Sequence, residues 1–221
     1  AKAIAGANAL SRNAYALRRQ SFVAKVHTLV GQYKRKGEAR LIAARAIALL
    51  QRLYTRSRVS KSAEDKHVCT CLWISTKLET QLDGQMLDCL GRHVDKCRRL
   101  ELSDVYECER EICLWLGWRL NPATTCNILS SLLVLLPKEV ADQMAGLTFQ
   151  LETMCQLSLH SLDYAAHEIA ISIIMVSVRS LGLAEQYEHD VLAFCGEGRG
   201  GEEGGAEAAA AAAAAAGGEG G

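Results

Sequence analysis

Apolar residues recur at three- and four-residue steps along most of the chain, the spacing of one buried helical face. From Arg18 to Lys34 that face comprises Phe22, Val23, Val26, Leu29, Val30 and Tyr33. Gly37 interrupts it. A second helix, Glu38 to Thr55, carries Leu41, Ala44, Ile47, Ala48, Leu50 and Leu53, with Arg45 and Arg52 expected outside. Ser62 and Asp65 read as the capped start of a third helix ending at Glu79. Small residues (Cys69, Thr70, Cys71, Ser75, Thr76) surround its Val68, Leu72 and Ile74, so neighbours can approach from several sides and a central helix is expected. A short helix, Gln85 to Val94, and a longer one, Ser103 to Leu116, follow; Ser103, Tyr106 and Glu107 look like a capped first turn, and Pro122 marks the stop.

A second series echoes the first, over Pro122 to Leu136, Lys138 to Leu159, Leu162 to Leu181 and Glu185 to Cys195. Its third helix, with Ala165, Ala166, Ile169, Ala170, Ile173 and Ile174, is apolar nearly all round and is expected to be enclosed by neighbours. After Cys195 the chain collapses to Gly, Glu and Ala, with nothing large to bury, and is expected to stay out of the core.

Composition agrees with an all-α chain of one or two domains. Of 221 residues 49% are apolar, enough for a sizeable core, while 5% aromatics and two prolines disfavour a sandwich or barrel. The net charge is zero but unevenly spread: residues 1–60 hold thirteen basic residues against one acid, Glu38. Arg19, Lys25, Arg40, Arg45 and Arg52 are therefore expected to form a solvated positive face, suited to acidic or phosphorylated partners.

Nine cysteines form no C-x-x-C pair and read as small buried hydrophobes in a reducing compartment, with no metal implied. The longest apolar run, Ile169 to Val178, is too short for a bilayer core that needs about 20 residues, so no membrane is expected. The start has neither a secretory signal nor an initiator Met, which reads as a fragment or processed chain. The dispersed histidines, cysteines without a neighbouring histidine, and the lack of a phosphate-cradling glycine loop give no reason to expect an enzyme or a cofactor.

Two segments change the picture. Cys71-Leu-Trp-Ile-Ser-Thr-Lys-Leu-Glu79, followed by Glu107-Cys-Glu-Arg-Glu-Ile-Cys-Leu-Trp-Leu-Gly-Trp-Arg-Leu-Asn-Pro-Ala-Thr124, resemble the cyclin box. Arg19 to Lys34 is similar to the first cyclin-box helix, with Arg19 at its motif arginine, and Leu151 to Leu183 is similar to the second cyclin fold of A- and B-type cyclins. The resemblance implies two tandem five-helix cyclin-like folds, the second lacking its last helix. The implied boundaries are an amino-terminal segment 1–17, a cyclin box 18–121, a second fold 122–195 and a tail 196–221.

The resemblance also implies that Lys77 and Glu109 lie together and hydrogen-bond the main chain ahead of the C helix of a cyclin-dependent protein kinase. Ile74, Leu78, Cys113 and Leu120 would form an apolar slot beside them. Trp73 and Trp118 are assigned to packing. The chain departs from the family at three places: Ala24 and Gln51 stand where aspartates are usual, and Arg18, Ser21 and Lys25 replace apolar docking residues, leaving only Phe22. The basic positions Arg18, Arg19 and Lys25 would then favour acidic or phosphorylated substrates over Arg-x-Leu motifs.

Three functions follow as expectations. The first is a regulatory subunit that binds and activates a cyclin-dependent kinase in cell-cycle control, in nucleus and cytoplasm, with no activity of its own. The second is a nucleic-acid-binding tandem cyclin fold like transcription initiation factors of the B type, disfavoured by the acidic remainder of the chain. The third is a helical scaffold that has lost kinase binding.

Overall fold

The computed structural model describes residues 12–32, 36–56, 61–79, 91–92, 101–158 and 163–197. Its elements are α1 (Arg12–Val30), α2 (Lys36–Arg56), a 3₁₀ turn (Lys61–Ala63) running into α3 (Glu64–Glu79), α4 (Leu102–Trp115), α5 (Thr125–Val134), α6 (Lys138–Leu157), α7 (Ala166–Ser180) and α8 (Ala184–Glu197). Among the described residues every regular element is helical, and the protein is all-α. Helix α1 starts at Arg12 rather than Arg18, because Tyr15 and Ala16 carry the core-facing stripe backwards. The helix expected over Gln85 to Val94 lies almost wholly outside the described residues, and the tail beyond Glu197 wholly so.

The chain divides into two compact units, one of Ala1–Cys126 with Gln156–His160, the other of Asn127–Cys155 with Ser161–Gly221. In the first, α3 packs against α1, α2 and α4. Its Val68, Cys69, Thr70, Cys71, Leu72, Ser75 and Thr76 are fully buried. Their small size lets three helices approach, and the polar ones bond within their own helix: the hydroxyls of Thr70, Ser75 and Thr76 donate to the carbonyls of Lys66, Cys71 and Leu72. Phe22, Ile42, Leu49, Leu50, Leu53, Leu72 and Ile112 complete the core.

The second unit comprises α5 to α8, around Leu129, Met144, Ala170, Ile174 and Val178. A buried Thr148 hydroxyl donates to Ser177 at 3.2 Å, joining α6 to α7. Helix α7 is not enclosed on all sides: Val176 is 48% exposed, and Ser172, one turn before it, is exposed on the same face. It ends at Gly182, whose φ of 70° allows Leu183 N–H to reach back to the Val178 carbonyl at 2.9 Å before α8 begins.

Cys69, Cys71, Cys108, Cys113 and Cys126 are buried free thiols, and burial raises the pKa of Cys71, Cys108 and Cys113. Those three are protonated packing groups at neutral pH rather than nucleophiles.

Candidate partner-binding site

Two helices build the site. On α3, Trp73 and Lys77 are four residues apart and share a face. On α4, Val105, Cys108 and Ile112 face the core, which puts Glu109 at one edge of the buried stripe. Helix α4 begins with the Glu101 N–H donating to Asp104 Oδ2 at 2.9 Å; Ser103, the expected cap, instead donates to the Glu101 carboxylate. It ends in two left-handed residues, Gly117 at φ 60° and Trp118 at φ 59°, with Trp118 N–H bonded to the Cys113 carbonyl at 2.8 Å.

Lys77 Nζ donates to Glu109 Oε1 at 2.7 Å, and Trp73 Nε1–H donates to Glu109 Oε2 at 2.8 Å. Both carboxylate oxygens are therefore engaged. The ammonium also lies 5.5 Å from the centroid of the Trp73 ring, and Tyr106 meets that ring edge-on at 5.1 Å. The side chains stay accessible, 39% exposed for Lys77 and 23% for Glu109. An ammonium has three N–H donors and a carboxylate about four acceptor sites, so the pair retains donors beside acceptors. That pattern suits a main-chain segment presenting a carbonyl next to an N–H.

Of the four apolar positions expected to line a slot, Ile74 and Cys113 belong to the core, at 2% and 3% exposure. Leu120 is half-buried against the same core, and only Leu78 is exposed. The pair therefore stands on a filled apolar base rather than beside an open slot. Trp118 is not packed as expected: it is 67% exposed, in a backbone region that costs a non-glycine residue about 1 kcal/mol. Its exposure was beyond sequence reasoning, since nothing in Leu-Gly-Trp-Arg marks the tryptophan as left-handed. Trp73 was also missed, although its four-residue offset from Lys77 is a usable signal.

The solvated basic face is corrected. Arg19 and Arg45 are buried, Arg45 in an ion pair with Glu79. Arg52 donates to the Arg119 carbonyl, and Arg40 alone of the five is exposed. Lys25 bonds Glu64 and Asp65, each at 2.7 Å; Ser21 donates to Glu64 at 2.7 Å; Arg18 Nε lies 3.6 Å from Glu64 and its guanidinium 4.4 Å over the Tyr54 ring. Burial opposes the Lys25 charge, but the Glu64 and Asp65 carboxylates outweigh it and raise its pKa. Phe22 is fully buried, stacked on Tyr54 at 5.4 Å, and offers no docking surface. The start of α3 thus neutralises Arg18 and Lys25 from within and takes up the Ser21 hydroxyl.

Arg19 donates to the Ser158 carbonyl at 2.7 Å. With its amide oxygen turned toward Arg19, as a donor-only guanidinium requires, Gln51 accepts from Nε at 2.8 Å and Nη2 at 3.1 Å. Neutral oxygens thus serve where the resemblance led one to look for an aspartate. His67, between Tyr54 and Trp115, has its pKa lowered to about 4 by burial, with the Lys66 and Arg18 charges adding to the effect.

Among the described residues no group of three or more His, Cys, Asp or Glu side chains converges to hold a metal, and no helix is long and apolar enough to cross a membrane. No family model matches the chain, and no curated protein matches it.

Proposed function

We propose that the chain is a cyclin-like regulatory subunit of two tandem cyclin folds that binds and activates a cyclin-dependent protein kinase in nucleus and cytoplasm. The Lys77–Glu109 pair is the observation that carries the reading, because it offers spare donors and acceptors side by side on a rigid two-helix base. Its role is positional: Lys77 takes a main-chain carbonyl and Glu109 a main-chain N–H ahead of the kinase C helix. The helix is thereby held so that its glutamate reaches the ATP-orienting lysine. The chain itself supplies no catalytic group.

The reading is favoured over nucleic-acid binding because three of the amino-terminal cations, Arg18, Lys25 and Arg45, are paired within the protein with Glu64, Asp65 and Glu79, and Arg19 and Arg52 are tied to carbonyl oxygens. Neutralised cations release few counterions on meeting phosphate. The same neutralisation argues against recruitment of acidic substrates through Arg18 and Lys25.

The test mixes the full chain with recombinant cyclin-free cyclin-dependent kinase catalytic subunits, taken as a panel. A one-to-one complex and a rise in phosphorylation of a generic peptide are expected for at least one kinase. Binding without activation would favour the scaffold. Absence of any complex, together with DNA binding that weakens steeply with salt, would favour the nucleic-acid reading.

A further inference from the structure

On the kinase-binding reading, an exposed lysine and glutamate alone make a poor docking element. Their side chains sample many rotamers, and a partner must order both. The structure holds a device against this. Lys77 fixes only Oε1 of Glu109; the Trp73 N–H, at 2.8 Å, fixes Oε2 and with it the plane of the carboxylate. The indole is itself fixed, half-buried against Cys69 and Val105 and against the main core of the first unit, and met edge-on by Tyr106. Its face lies beneath the Lys77 ammonium, so one side chain constrains both members of the pair.

We infer that Trp73 is a positioning residue: it sets the Lys77–Glu109 pair in its binding orientation before the partner arrives, and acts on affinity through Glu109. Pre-ordering lowers the entropy lost on binding, so the effect belongs to affinity rather than to folding. The N–H is the informative atom, because a phenyl ring retains most of the packing and none of the donation.

A double-mutant cycle with the full chain and the kinase panel tests this, reading dissociation constants and melting temperatures of wild type, Trp73→Phe, Glu109→Ala and the double variant. Trp73→Phe is expected to weaken binding about tenfold with little change in melting, and to add nothing once Glu109 is alanine. Wild-type affinity in Trp73→Phe, or a loss that multiplies with that of Glu109→Ala, overturns the inference and leaves the kinase reading standing. Undiminished binding by Glu109→Ala, or no kinase bound by the wild type, overturns the kinase reading and this inference with it. Should Trp73→Phe fail to fold, β-(3-benzothienyl)alanine at position 73, which keeps the bicyclic shape without the N–H, serves in the same cycle.

Discussion

At the scale of single residues, the chain buries charge where its sequence pattern calls for solvent, and Arg19 shows a distant cause. Arg19 can be 2% exposed because Gln51 and the Ser158 carbonyl accept hydrogen bonds from its guanidinium. No local pattern reports a partner 139 residues away. Gln51→Leu removes acceptors from a buried guanidinium and is expected to lower stability by about 2 kcal/mol, whereas Gln51→Glu keeps them; urea unfolding of both variants checks this. His67 gives a pH signature. Its folded-state pKa is depressed to about 4, so the unfolded chain takes up a proton near pH 6.5 that the folded chain refuses. Stability is therefore expected to fall as pH drops from 7.5 to 5, by about 2 kcal/mol from this group, and a His67→Phe variant should lose that much less over the same range.

At the scale of elements, most helices were legible because burying one face of a helix leaves a three-to-four residue period in the sequence. The centrality of α3 was legible too, since only small residues permit approach from several sides. What escaped was the meaning of its first turn: Asp65 reads only as part of a capped start and Glu64 has no reading of its own, yet the two acids hold α1 through Ser21, Lys25 and Arg18. Glu64 is buried at 3% exposure, and Glu64→Ala leaves two cations without it, at an expected loss of about 3 kcal/mol; Asp65→Ala, at an exposed site, should cost under about 1 kcal/mol. Denaturant titration separates the two. The end of α4 was half legible: Pro122 announced a stop, but the left-handed Gly117 and Trp118, at φ 60° and 59°, did not announce themselves. Trp118→Asn, which tolerates that region, is expected to stabilise the chain by up to about 1 kcal/mol, read as a higher midpoint in urea.

For the whole molecule, the pairing of Lys77 with Glu109 was legible through the resemblance rather than through spacing, and the structure adds how the two are joined. Lys77 and Glu109, 32 residues apart, meet because α3 and α4 pack through Cys69, Val105 and Cys108. The expected slot was not there to be found, since apolar residues at helical spacing from a charged pair go to the core when their helices pack. A pair so exposed adds under about 1 kcal/mol to folding but becomes desolvated at an interface, where such residues reach about 2 kcal/mol or more. The most direct measurement is therefore calorimetric titration of the bound kinase with wild type and with Lys77→Ala, alongside their melting temperatures. A loss of about thirtyfold or more in affinity with nearly unchanged melting is expected. Wild-type affinity in the variant, or a fall in melting with binding intact, would make the pair structural and contradict its proposed role as the kinase contact.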